Sequence, residues 1–218
     1  VQDFVNDDYP YVHFAKGRDF ANGGFGVGVT SQYELKEVRS IPIESTGSKA
    51  TKVLERTVFE KDGREIAFYV THPSWENTDL RRRQFAEIIE RVKIDPTEYK
   101  IMVADWNADQ SLYEYTMFED GFHIANGKDG KWLDTFNGTD DSMKVLTVDN
   151  IITTKNIRIT DVGTVHSDMA DHDMLWADLE FLDQADGEPA SDNRALGQEV
   201  TASSTKEGSD PYMLNDYD

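Results

Sequence analysis

The sequence predicts a mixed α/β domain in which two sheets pack face to face, and three observations carry that expectation. Short apolar runs with strand character recur along the chain, and helical periodicity appears between some of them. Hydrophobic residues make up 38% of the 218 and aromatics 11%, enough to bury a real core. Many strands with helices between some of them argue for sheet-on-sheet packing.

Taken in order, Gly23-Gly24 signals a turn, and Phe25 to Ser31 alternates bulky and small residues as a strand does. Lys52 to Phe59 reads as a second strand and Glu65 to Thr71 as a third, with Asp62-Gly63 as the hairpin turn between them. Thr78 is placed to cap a helix running to about Val92, in which Phe85, Ile88, Ile89 and Val92 share a face. Lys100 to Ala104 is a short buried strand, and Ser111 to Glu119 looks helical up to Gly121. Val145 to Ile152 and Asn156 to Val162 are strands arranged to form a hairpin about Thr154-Lys155. Alternation of Leu175, Ala177, Leu179 and Phe181 marks a half-buried last strand.

The domain closes at Asp183. Residues 184–193 (QADGEPASDN) have linker composition, and residues 184–218 hold eight acids and two bases with few apolar side chains. Such a tail does not bury enough surface to fold alone. No apolar run approaches the ~20 residues that a membrane helix needs. The start, Val1-Gln2-Asp3-Phe4, has no basic region of the signal-peptide kind and no initiator Met, so a preceding segment is expected.

The absence of cysteine excludes disulfides and thiolate chemistry. Forty-two acids against 22 bases give a net charge of −20. A field of that sign repels polyanions such as duplex DNA and draws divalent cations, while most of the excess serves solubility. The basic run Arg81-Arg82-Arg83 falls on a helix and points to different sides, which fits packing or solvation better than a nucleic-acid groove.

Four segments place ionisable or polar groups at strand ends, where sites in α/β folds tend to lie. Val103-Ala104-Asp105-Trp106-Asn107 ends a buried strand with an acid and an amide two residues apart, able to face one ligand or simply to close the strand as an Asx-turn. In Val148-Asp149-Asn150-Ile151 an acid interrupts a β-branched run. A buried carboxylate needs a partner, such as a histidine to orient; the other reading is a solvent-facing residue. Ala170-Asp171-His172-Asp173 suits metal binding and general-base work, or is a surface loop with a chance histidine. Thr71-His72-Pro73 offers an imidazole to a phosphate oxygen, or a capped strand end.

In order and spacing these segments resemble the endonuclease/exonuclease/phosphatase superfamily. Its members carry a Gly-rich strand ending in Ser-Arg-Tyr-Pro-Ile, then Thr-His-Leu, Gly-Asp-Phe-Asn, an Ile-Asp-His/Tyr-Ile strand and a terminal Ser-Asp-His. This chain reads Gly26-Val27-Gly28-Val29-Thr30-Ser31-Gln32-Tyr33, Thr71-His72-Pro73, Ala104-Asp105-Trp106-Asn107, Val148-Asp149-Asn150-Ile151 and Ala170-Asp171-His172. Arg83 and Gln84 match a family habit in the intervening helix, and Tyr9-Pro10-Tyr11 matches the entry to the Gly-rich strand. The likeness covers residues 1–183, with Ala104, Trp106 and Ala170 departing from the family's Gly, Phe and Ser. The family's opening Asn strand and the following Gln-Glu strand, whose Glu binds metal, have no match before Tyr9. The domain is therefore expected to be N-terminally truncated by roughly forty residues, judged from typical element lengths.

The resemblance implies a four-layer αββα sandwich and divalent-metal-dependent hydrolysis of a phosphoester. Magnesium is the expected ion, with manganese or calcium as alternatives. Residue by residue, Asp171 would sit by the metal, and His172 would act as base or phosphate stabiliser with Asp149 orienting it. Asp105 would hold the attacking water, Asn107 would position it, and His72 would contact the phosphate. The charge favours a small phosphomonoester, phosphodiester or lipid headgroup over duplex DNA. Two other readings stand beside this one: a non-catalytic scaffold or recognition piece of a secreted surface protein, and a glycan-handling enzyme built on paired carboxylates. Residues 194–218, from Ala195-Leu196 through Val200-Thr201-Ala202-Ser203-Ser204, resemble the opening of a discoidin-type (F5/8 type C) module. That likeness implies an exported parent that docks on cell-surface glycans, with the cytoplasm as the other possible setting.

Overall fold

The computed structural model describes residues 7–119, 121–127, 131–137 and 147–183. The linker and the discoidin-like tail expected at 184–218 lie outside the described residues, as does the start of the strand expected from Val145.

One layer is a sheet of strands ordered β3-β4-β5-β6-β8-β7, built from β3 (Lys36–Pro42), β4 (Val53–Lys61), β5 (Arg64–Thr71), β6 (Tyr99–Asp105), β7 (Phe122–Ile124) and β8 (Asp149–Thr154). All its ladders are antiparallel except β5 with β6, which are joined by helix α1 (Thr78–Ile94) as a parallel crossover requires. The facing layer consists of two hairpins, β1 (Tyr11–Phe20) with β2 (Gly23–Ser31), and β9 (Ile157–Val165) with β10 (Met174–Phe181). The first hairpin packs over β3, β4 and β5, and the second over β7 and β8. The expected sandwich is thus present, and α1 with the following 3-10 helix forms its helical outer layer.

Period two on the strands divides the core cleanly. Leu54, Ala67, Tyr69, Met102 and Ile152 face α1 and meet its Phe85, Ile88, Ile89 and Val92. Ile66, Tyr99, Ile101 and Ile157 face the hairpin layer, with Phe68, Val103 and Ile151 half-buried beside them. An aromatic knot of Phe85, Trp106, Tyr115 and Phe118 locks the helical layer to the loop after β6, with ring centroids 5.0 to 6.0 Å apart.

Several local expectations change. Asn77, not Thr78, caps α1: its side chain accepts the Leu80 N–H at 2.9 Å. The helix expected over Ser111 to Glu119 is a shorter 3-10 turn, Tyr113–Phe118. Asp62 and Gly63 make the expected hairpin turn with φ of 52° and 77°, the left-handed pair that a two-residue hairpin favours. The hairpin expected about Thr154-Lys155 does not form. β8 pairs with β6 and β7, whereas β9 pairs with β10, so the chain changes layers there. Side chains set that crossing: Thr153 donates its hydroxyl to the Ile157 carbonyl at 2.7 Å, and Thr154 to Asn156 Oδ1 at 2.7 Å. In the helix, Arg83 is exposed while Arg81 is the buried member of the basic run, paired with buried Glu114 at 2.8 Å.

Candidate active site

Asp105 ends β6 and Asp149 begins β8, and the two are direct partners in the antiparallel ladder. Their side chains therefore leave the same face of the sheet at the same height. β5 runs parallel to β6 on its other side and delivers His72 one residue beyond its end. His72 Nε2 lies 3.3 Å from Asp105 Oδ2.

The histidine partner of Asp149 comes from the other layer. His172 precedes β10, and its Nδ1 donates to Asp149 Oδ2 at 2.7 Å. Its Nε2 is 3.9 Å from Asp105 Oδ2, so Asp105 sits between two imidazoles. The hydrogen bond to Asp149, opposed by partial burial and helped by the charges of Asp149, Asp105 and Asp171, pushes the His172 pKa up to about 9. Burial, with the neighbouring Asp105 charge, holds the Asp149 carboxyl above its ordinary value although the His172 hydrogen bond lowers it. The hydrogen bond and the neighbouring carboxylates thus favour the protonated form of the His172 ring.

Asn107 takes part through its backbone: its N–H donates to Asp105 Oδ1 at 2.8 Å, and its φ is 51°. Its side-chain amide donates to the Pro73 carbonyl at 3.0 Å, tying the loop after β6 to the loop after β5. The Asx-turn reading of this segment is the one observed, and it fixes the direction of the Asp105 carboxylate. Asp171 stands apart. It is exposed, and the contact that fixes it is its backbone carbonyl accepting the Asn137 N–H at 2.8 Å. The structure therefore joins Asp105, Asn107, Asp149, His172 and His72 through direct contacts, and leaves the Asp171 carboxylate at the rim.

Supporting residues gave no signal in the sequence. Asn126 and Asn150 are buried and clasp each other, with Asn150 Nδ2 donating to the Asn126 carbonyl at 2.6 Å and Asn126 N–H to Asn150 Oδ1 at 2.9 Å. Asn126 also donates to the Asp149 carbonyl at 3.2 Å, and Thr135 Oγ1 accepts the Asp149 N–H at 3.2 Å. Phe136 sets its ring edge-on to His172 at 5.2 Å. Isolated Asn and Thr residues are common in loops, so only the fold reveals that these hold a site.

Oxygen donors suit a hard cation such as magnesium. Among the described residues, however, no three His, Asp or Glu side chains are grouped so as to hold a metal ion. These residues alone do not form a closed cation cage.

No family model matches the chain, and no curated protein matches it. Solved structures do. An endonuclease/exonuclease/phosphatase family protein from Leptotrichia buccalis superposes with a TM-score of 0.63 at 18% identity, over 83% of this chain and 75% of that one. A Bacteroides thetaiotaomicron mannosyl-6-phosphatase gives 0.61 at 16% identity, over 79% and 78% of the two chains. D. rerio TDP2, in a complex with a single-strand DNA product, gives 0.62 at 14% identity, over 78% and 77%. At these identities the likeness establishes a shared fold, and the described chain has the sandwich of endonuclease/exonuclease/phosphatase proteins.

Proposed function

We propose that this protein hydrolyses phosphoester bonds, as a member of the superfamily whose fold it shares. The observation that carries the reading is the Asp149–His172 pair at 2.7 Å with Asp105 placed between His172 and His72. Hydrolysis needs a water held in line, a positive field on the phosphoryl oxygens and help for the leaving group. In this proposal Asp105 holds the attacking water and receives its proton. Asn107 fixes that carboxylate through its backbone N–H. His172, kept protonated by Asp149, stabilises charge on the phosphoryl group, and His72 supports a second oxygen.

A divalent cation, magnesium before manganese or calcium, would supply Lewis-acid stabilisation when bound. Magnesium is often held by one or two carboxylates together with substrate oxygens, and Asp171 is the carboxylate proposed for it. Small phosphoesters or lipid headgroups are the proposed substrates, because the net charge of −20 opposes large polyanions. The exported, glycan-docking setting rests on the tail's sequence likeness alone and is testable by binding to a glycan array.

The test is release of nitrophenol from a nitrophenyl phosphoester with magnesium present. Chelation with EDTA and the substitution His172→Ala should each abolish turnover, and activity untouched by either would remove these roles. The second reading is a non-catalytic scaffold. A magnesium titration by calorimetry that shows no heat would support it.

A further inference from the structure

A second group of positive charge borders the site on the His72 side. Lys52 immediately precedes β4 and is only 7% exposed. Among the described residues the buried cations are Lys52, Arg56 and Arg81. Arg56 is ion-paired with Asp95, and Arg81 with Glu114. Lys52 has no carboxylate within the 4.0 Å of an ion pair among the described residues. This is unexpected in a chain with nearly two acids for every base.

The residue is held firmly from both sides. Its N–H donates to Ser45 Oγ at 2.9 Å, and its carbonyl accepts the Ile43 N–H at 3.1 Å. Burial lowers its pKa, and the charges of Glu76 and Asp105 are near enough to oppose that while Arg18 adds to it. Arg18 places its guanidinium 5.3 Å from the Phe25 ring centre and 5.2 Å from that of Phe20. One of its amines donates to the Lys49 carbonyl, and its buried Nε has no hydrogen-bond partner among the described residues. Lys52 and His72 line one recess with Phe25, Gly26 and Val27, of about 10 Å³, the space of a single water-sized group.

A lysine that is nine-tenths buried and has no carboxylate at contact distance among the described residues is poorly explained by stability, since an apolar side chain of the same length would fill the position better. It is well explained by an anion that arrives with a ligand. We propose that Lys52, backed by Arg18, forms a phosphate-oxygen subsite beside His72, and that the substrate is a phosphomonoester. This rests on the phosphoesterase reading and narrows it. A monoester dianion carries one more negative charge than a diester at the same phosphorus, and Lys52 supplies the matching positive charge.

Two measurements test it. In the first, inorganic phosphate is titrated into the protein by calorimetry, with Lys52→Met and Lys52→Arg in parallel. Loss of a charged hydrogen bond should weaken binding about 10- to 100-fold in the Met variant. The Arg variant should recover most of it, and the melting temperature of Lys52→Met should stay the same or rise. Equal phosphate affinity in Lys52→Met and the parent protein, or no phosphate binding by the parent, overturns the subsite. In the second, nitrophenyl phosphate and methyl nitrophenyl phosphate are compared as substrates. The Met variant should lose kcat/KM on the monoester and change little on the diester; equal losses on both overturn the substrate assignment. Should Lys52→Met not fold, Arg18→Met provides the same comparison with a smaller expected loss. A protein that binds phosphate through Lys52 yet hydrolyses neither ester keeps the subsite and refutes the phosphoesterase reading.

Discussion

At the scale of single residues, the candidate site is two acids and two imidazoles, with Asp105 between both rings and Asp149 bonded to His172. Asp149 is the residue on which the arrangement turns, since it holds the ring of His172 in place and keeps its proton. Asp149→Asn retains the shape and removes the charge. It should lower kcat/KM for phosphoester hydrolysis by about 10²- to 10⁴-fold, the range of proton-transfer and charge-stabilising groups, with circular dichroism unchanged. Asp105→Ala should lose at least as much, read in the same assay. Both acids were legible in the sequence because Asp105 ends an apolar strand and Asp149 interrupts an apolar run, where a carboxylate calls for a reason. His72 and His172 were legible from their place at strand ends. Lys52 was not, because a lysine at the start of a strand is ordinary until its burial is known. Asn126, Asn150 and Thr135 were equally silent, since their value lies in hydrogen bonds to residues distant in sequence.

At the scale of elements, helix α1 depends on a cap that the sequence places one residue too late. Asn77→Ala removes the acceptor of the Leu80 N–H and should cost about 1 kcal/mol in a denaturant titration, whereas Thr78→Ala should cost little. Strands with clear alternation, β2, β4, β5, β6 and β10, were readable to within a residue or two. β1 was missed because Lys16, Arg18 and Asp19 interrupt it, a register shift falls between Lys16 and Arg18, and only Ala15 is fully buried. β3 has no buried residue, and β7 is three residues long at the sheet edge, too short for any period to show. The failed hairpin at Thr154-Lys155 has a different cause. Two adjacent strands with a short turn look alike whether they pair or change layers, and only the Thr153 and Asn156 contacts decide.

At the scale of the whole molecule, Asp95 joins three parts of the fold. It accepts from Arg56 of β4, from Tyr69 of β5 and from the Thr97 N–H ahead of β6. Burial alone would raise its pKa, but these hydrogen bonds outweigh burial and hold the carboxyl well below the usual range. A depressed folded-state value means that the stabilisation is complete above the unfolded value near pH ~4 and is lost as pH falls toward the folded one. Asp95→Asn should cost about 3–5 kcal/mol at pH 7, as expected when one partner of a buried pair is removed. The gap to the parent protein should close in urea titrations carried from pH 5 toward pH 2. The net charge of −20 makes a second molecular prediction: labelled duplex DNA should show no binding by anisotropy at about 0.15 M salt. Finally, Asp105 and Asp149 face each other across one rung of the β6–β8 ladder. A slide of β8 by a single residue would keep every backbone bond count similar and yet turn Asp149 to the helix side. A molecule closed one step out of place would lack the Asp149–His172 hydrogen bond, so the two layers would no longer be joined at the site.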